Sequence, residues 1–367
     1  MSTNYDAIVV GGGLVGSAIA YGLQRQGLST IILDEGDIAY RAARGNFGLV
    51  WVQSKGIDFP PYAQWTWQSA ESWSELNAEI NAITGEDIGY RRPGGAEICI
   101  NAEEFEAKRE NMLRLSSHAR HFKFEMLDRK AMADLVPGLG PDVAGGCYSP
   151  ADGHANPLLL LRGLHQCLLA KGGRIDNGAM VTAIQRRGEA FAVATAKAEY
   201  QGARLVLAAG LGTPGLAAMI GMNVPVRPQR GQIMVTERVK PFLSLPLSRV
   251  RQTVEGGVQL GDSKEEVGFN EGTTSSVMNR IANRAVKMFP HLRRANVVRA
   301  WGALRVMSPD GYPIYARSER HPGAFAAVCH SGVTLAAAHV LHLAGYIAEG
   351  ALPETLAPMS ERRFNNV

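Results

Sequence analysis

Residues 5–37 read YDAIVVGGGLVGSAIAYGLQRQGLSTIILDEGD, and the spacing of the glycines in this stretch decides the fold. Tyr5 to Val10 is a short β-branched run and predicts a strand. Leu14 to Gln26 carries apolar residues at helical spacing and stops at Gly27, and Thr30 to Leu33 is again strand-like. Together they make a βαβ unit of a parallel sheet. Gly11, Gly13 and Gly16 form G-x-G-x-x-G where the first strand turns into the helix. Glycines also serve ordinary turns, so the motif gains its meaning from that context. Gly11 permits the tight turn, Gly13 lets backbone N–H groups approach a phosphate, and Gly16 lets helix and strand pack closely. Leu14 and Val15 open a helix whose N-terminus suits a dinucleotide pyrophosphate. Asp34 closes the second strand 34 − 11 = 23 residues after Gly11, at the acidic ribose-binding position, with Glu35 beside it. A carboxylate there repels a 2′-phosphate, which argues against NADP.

Two further segments separate FAD from NAD. Residues 41–53, RAARGNFGLVWVQ, gather Ala42, Ala43, Arg44, Gly45, Asn46 and Gly48 just after the βαβ unit. A surface loop is the simple reading. The apolar Leu49, Val50 and Trp51 that follow instead predict a loop buried against something flat. Near the C-terminus, AAVCHSGVTLAAA (326–338) ends a strand at Cys329 and passes through His330, Ser331 and Gly332 into a helix of small residues. Alone, Ser331 reads as an ordinary cap. In conjunction with the first motif, this second glycine-marked helix start suits the negative charge that reduced flavin carries at its N1–C2=O2 edge.

Elsewhere helical spacing runs through Phe59–Asn81, Ala102–Ser117, Asp128–Leu135, Pro157–Ala170 and Glu271–Phe289. Strand character marks Gly178–Arg187, Phe191–Lys197, Arg204–Ala209 and Ala324–Cys329. Val224–Glu237 and Ser248–Asp262 read as longer alternating strands of an antiparallel sheet. The fold class is α/β (α+β overall), with a Rossmann-like dinucleotide domain interleaved with a second domain built on that antiparallel sheet. The aromatic stretch 59–73, FPPYAQWTWQSAESW, suits either a docking face or a buried core.

Composition narrows the function classes. Hydrophobic residues make up 46% and charged residues 20%, as in ordinary globular proteins, and a net charge of +4 spread over the chain argues against nucleic acid. The four cysteines (Cys99, Cys147, Cys167, Cys329) include no C-x-x-C pair, against a metal or iron–sulfur site held by this chain alone. No apolar run reaches the length of a spanning helix, and the chain opens directly into a strand; a cytoplasmic protein is expected.

These segments carry a family resemblance. VVGGGLVGSA, RAARGNFG, SPADGHANPL, RLVLAAGLGTPGL, WGALRVMSPDGYPIY and CHSGVTLAA resemble the D-amino-acid oxidase/glycine oxidase superfamily of FAD enzymes over nearly the whole chain. More closely, RGNFGLVWVQ, RPQRGQIMVTE, ALRVMSPDGYPIY and CHSGVTLAAAH are similar to the FAD-binding β subunits of bacterial heteromeric opine and D-hydroxyproline dehydrogenases, with the flavin subunit of hydrogen cyanide synthase a near relative. The resemblance implies an FAD domain over 1–84, 145–218 and 309–367 and a substrate domain over 85–144 and 219–308. It implies that Val181 holds the adenine through its backbone and that Ala209, Gly210 and Leu211 lie near the pyrophosphate. His330, Ser331, Gly332, Val333 and Thr334, with Leu49 and Arg305, would touch the flavin ring.

For the substrate, a planar Arg fork is the usual partner of an amino-acid carboxylate. Arg305 matches the carboxylate-binding position of the superfamily, and Arg251 lies on a strand expected to cross the flavin. Trp51, Gln53, Gln259 and Thr334 are further lining candidates, while His330 and His154 are candidate proton acceptors. Ala303 stands where covalent-flavin relatives carry Cys, so non-covalent FAD is expected. Gln259 stands where sarcosine-type oxidases place an oxygen-activating Lys, which favours a dehydrogenase. The expected reaction is hydride transfer from a substrate Cα–H to flavin N5, electrons passing to partners. Related complexes pair this subunit with an α-subunit flavoprotein and a small iron–sulfur subunit, and some hold an FMN at the interface. The alternatives are an oxygen-using D-amino-acid or glycine oxidase and a non-catalytic FAD subunit.

Overall fold

The computed structural model of the chain describes residues 4–36 and 42–364; Arg41 of the RAARGNFG segment lies outside them. The opening unit is β1 (Asn4–Val10), α1 (Leu14–Arg25) and β2 (Thr30–Asp34), with β1 and β2 parallel. A short helical turn over Ala42–Gly45 leads to β3 (Leu49–Val50) and the long α2 (Pro60–Thr84), which begins on two prolines and ends at left-handed Gly85. Then come β4 (Gly95–Cys99), α3 (Ala102–His118), β5 (Glu125–Asp128), α4 (Arg129–Leu135), β6 (Gly145–Ser149) and β7 (Gly153–His154). Asn101 and Asp128 cap α3 and α4 through their side chains, as Asn156 caps α5 (Pro157–Ala170).

The α/β character resumes with β8 (Arg174–Asn177), β9 (Val181–Arg187), β10 (Ala190–Thr195), β11 (Glu199–Leu207) and α6 (Thr213–Ala218). The long β12 (Arg227–Arg238), β13 (Val250–Gln252), β14 (Gly257–Leu260), α7 (Ser275–Met288) and β15 (Val297–Met307) follow. Last are β16 (Ile314–Arg317), β17 (Ala324–Val328) and a helical run through α8 (Ala336–Ala338), a π turn (His339–Leu343) and α9 (Ala344–Glu349).

The main sheet has the order β16-β17-β11-β1-β2-β8, with β9 and β10 attached through β11. Its central strands are parallel and buried on both faces, which is why they read as unbroken apolar runs. Alternation divides them cleanly. Ala7, Val9, Ile32, Val206, Phe325 and Ala327 face the layer of α1, α2, α5 and the C-terminal helix. Ile8, Val10, Ile31, Leu33, Leu205 and Leu207 face the layer of β9, β10 and α6. Tyr62, Trp65 and Trp73 of the aromatic stretch are buried in the helical layer, so its hydrophobicity is core. Gly22 lets α1 touch the C-terminal helix, because a Cβ there would lie 2.4 Å from that of Ala344.

The second sheet is antiparallel, in the order β13-β14-β12-β15, and packs with α7 and α4 over a separate core. Two sequence expectations change here. The strand expected over Ser248–Asp262 is a hairpin, because Gly256, at φ 96°, turns the chain between β13 and β14. β15, which sequence patterning leaves unassigned, is the longest partner of β12, paired from Arg227↔Met307 onward. A third sheet, β4-β6-β5, runs across the boundary expected between residues 144 and 145. No described helix is long and apolar enough to cross a membrane.

Candidate functional site

A cavity of about 350 Å³ opens along the ends of β1, β2 and β11, where the glycine turn lies. The three glycines play different parts. Gly11 has φ 107°, and a Cβ on it would lie 2.5 Å from the Ala208 carbonyl oxygen. A Cβ on Gly16 would lie 1.9 Å from the Gly11 oxygen; Gly16 packs the helix and does not line the cavity. Gly13 differs from both: nothing lies within 4 Å of a Cβ built there, so a side chain would project into the cavity. Gly13 also makes no side-chain cap to α1, leaving the amides of the first turn aimed at the same space. This cradle fits a pyrophosphate.

Asp34 and Glu35 line the same cavity. Asp34 is buried and accepts from Gly12 N at 2.6 Å and Gly36 N at 2.8 Å, which ties the glycine loop to the end of β2. A carboxylate at this strand end suits ribose hydroxyls, and Glu35 is exposed beside it. Val181, Ala209 and Gly210 line the cavity, and Leu211 does not. Ala42, Ala43 and Asn46 close one wall, and Cys329, His330 and Gly332 close the far end.

A second cavity of about 210 Å³ adjoins the first, sharing Ala42, Asn46 and His330 with it. Its walls come from four distant segments: Gly45 to Trp51, Lys55, the β12/β15 face with Arg305, and Ser331 to Thr334. Arg305 is fixed by Asp262 at 2.8 Å and by the Ser263 carbonyl at 2.8 Å, on the side of the guanidinium held by the protein. Asp262 also reaches Arg249 at 3.4 Å, so one carboxylate serves two arginines. Ala303 lines this cavity and offers no thiol to a flavin.

Lys55, which sequence reasoning missed, lines the same cavity as Arg305. Its Nζ lies 3.2 Å from His330 Nε2 and 3.0 Å from Ser331 Oγ, and Ser331 Oγ meets Tyr62 OH at 2.7 Å. Burial, then the charges of Lys264 and Arg305, pull the Lys55 ammonium down to about 8. Burial and the same cations hold His330 far below the usual imidazole range, so it is neutral. Burial pushes the Cys329 thiol up to about 12.

Several expected site residues lie elsewhere. Gln53 is fully buried and donates to Asp152 Oδ2 at 2.6 Å and to the Gly95 oxygen at 3.1 Å, so it braces the Trp51 segment from behind. Gln259 accepts from Arg251 Nε at 2.9 Å and lines neither cavity. Arg251 itself is buried behind Gly48, donating to the Ala155 oxygen at 3.1 Å and meeting His154 Nδ1 at 3.3 Å. Gly48 keeps this contact possible, since a Cβ there would meet the Ala155 oxygen and the guanidinium. Arg251 is therefore a support of the loop. Arg44 is exposed and lines neither cavity. Gln259, expected where sarcosine-type oxidases place a Lys, is withdrawn from both cavities, and an ammonium, that of Lys55, lines the second.

The DAO family of FAD dependent oxidoreductases matches residues 6–345. The chain belongs to this family. The opine oxidase B subunit of Rhizobium meliloti is 43% identical over 362 residues, covering 98% of each chain. The opine oxidase B subunit of Agrobacterium tumefaciens (strain Ach5) is 41% identical over 369 residues, again covering 98% of each. Among solved structures, glycine oxidase from Geobacillus kaustophilus superposes with a TM-score of 0.88 at 22% identity, covering 97% of this chain and 98% of that one. The family's cofactor is FAD, and the glycine cradle, the Asp34 carboxylate and the turn at His330–Gly332 are the groups that would hold it, with Ala303 offering no thiol for a covalent link.

Proposed function

We propose that this chain is the flavin subunit of a heteromeric enzyme that oxidises the CH–NH bond of a carboxylate-bearing amine, of the opine or D-hydroxyproline kind. The observation that carries this reading is Arg305, a guanidinium fixed by Asp262 and Ser263 in a cavity that adjoins the dinucleotide cradle through His330. FAD, when bound, supplies the two-electron acceptor for hydride from the substrate carbon. Everything else is positioning and charge. Arg305 takes a substrate carboxylate and aims the carbon–hydrogen bond. The positive field of Lys55 and Arg305 disfavours an ammonium in the cavity, and oxidation needs the neutral amine. Burial and the same field hold His330 neutral, and its Nε2 already meets the Lys55 ammonium at 3.2 Å, so the amine gives its proton to solvent before it reacts. Two opine oxidase B subunits among its relatives support the assembly with a second subunit, to which electrons would pass.

A second reading, with oxygen as acceptor, is favoured by Lys55, because a cation in the cavity that adjoins the dinucleotide cradle would stabilise the negative charge of partly reduced oxygen. One experiment addresses both. The FAD-loaded protein is mixed anaerobically with opines, D-hydroxyproline, glycine and other secondary amines while the visible flavin band is followed. Rapid bleaching by a carboxylate-bearing amine, without peroxide in air, is expected. Peroxide would favour the second reading, and no bleaching by any amine would overturn both.

A further inference from the structure

The turn that carries Lys55 is held in place at some expense. Ser54 sits in the left-handed region at φ 72°, where a residue with a Cβ is disfavoured by about 1 kcal/mol or more. The turn is pinned from two sides. Asp152, fully buried, accepts from Val52 N at 2.5 Å, and Lys108, itself paired with Glu97, donates to Ser54 Oγ at 2.8 Å. A solvent-facing lysine needs no such bracing. Here it delivers Nζ into the second cavity, where the partners it meets, His330 and Ser331, are both neutral. The charged residues lining that cavity are Lys55, Arg305 and Asp262, and Asp262 is already divided between Arg305 and Arg249. The cavity therefore has more positive charge than its own carboxylate neutralises, at two separate points.

We propose that Lys55 is a specificity-determining residue that binds a second anionic group of the substrate, opposite the carboxylate held by Arg305, so that the site selects secondary amines bearing two carboxylates. This rests on the amine-oxidising reading and deepens it. Two carboxylates on opposite sides of one nitrogen would meet a guanidinium fork at one end and an ammonium at the other. The nitrogen and its reacting carbon would then be held between them, alongside His330.

The test separates binding from turnover. Glutarate and butyrate, which the reaction cannot oxidise, are titrated into the FAD-loaded protein, and binding is read from the perturbation of the flavin absorbance. The native protein is expected to prefer glutarate at least about tenfold. Lys55→Gln should reduce that preference to about twofold or less, with glutarate affinity falling much more than butyrate affinity, and Lys55→Arg should retain it. Equal affinity for the two acids in the native protein, or a preference that survives Lys55→Gln, would overturn the proposal. If the preference behaves as expected but no amine bleaches the flavin, the functional reading falls and the two-point site stands.

Discussion

The two cavities are built from different materials. The first is walled mainly by backbone and small side chains: Gly11, Gly13, Ala208, Ala209 and Gly210 come from strand ends that the main sheet holds in register. The second is walled by side chains, Lys55, Trp51, Arg305, His330 and Thr334, gathered from distant parts of the chain, with Arg305 carried in on β15 of the antiparallel sheet. The first should fail when backbone geometry is disturbed, the second when a single side chain is lost.

Arg305→Ala is expected to break that distinction most visibly. It should slow anaerobic flavin reduction by about a hundredfold or more, because the carboxylate anchor and the aim of the reacting carbon go together. The flavin spectrum should survive, and loss of FAD along with turnover would show that the two cavities are not separable. Gly13→Val should do the reverse. The fold remains, since nothing lies near the new side chain, while FAD uptake drops by at least about tenfold as the cradle fills. Far-UV circular dichroism against visible absorbance gives both quantities, and a variant that keeps its colour would refute the cradle.

Gly16→Ala sharpens the contrast within one motif. Its Cβ would collide with the Gly11 carbonyl, so destabilisation of about 2–3 kcal/mol, seen as a lower melting temperature, is expected for apoprotein as well as holoprotein. A pH titration probes the second cavity. Lys55 is charged below about 8, and His330 and Cys329 beside it keep their charge states through that region. Affinity for glutarate should thus be full below about pH 8 and weaken as pH rises through it, while butyrate affinity falls much less. The smallest effect belongs to Arg251→Gln, which should alter the Km for substrate by less than about twofold, since Arg251 lines neither cavity.

The same contrast explains what was legible in the sequence. Gly11, Gly13, Gly16 and Asp34 could be read because a turn, a close approach and a strand end each demand a residue type at a set spacing, whatever lies elsewhere in the chain. The His330–Gly332 turn could be read from its glycine-marked helix start, and Arg305 came through resemblance. Lys55 could not be found: nothing local marks it, and the bracing that aims it comes from Asp152 and Lys108, far along the chain. Gln53, Gln259 and Arg251 were misplaced for a related reason. A side-chain amide or guanidinium engaged by neighbours has the same composition as one turned toward a ligand, and only its hydrogen-bond partners tell them apart. β15 escaped because its first half is exposed, so its alternation is weak until Leu304.

Asp34 gripping both Gly12 and Gly36 has a kinetic meaning. The loop that must receive the nucleotide is already locked by a carboxylate that belongs to the next strand, so its shape is fixed when the sheet assembles and does not wait for the visitor. Reloading of the stripped protein should accordingly proceed at a pace set by encounter, without a slow search by the chain.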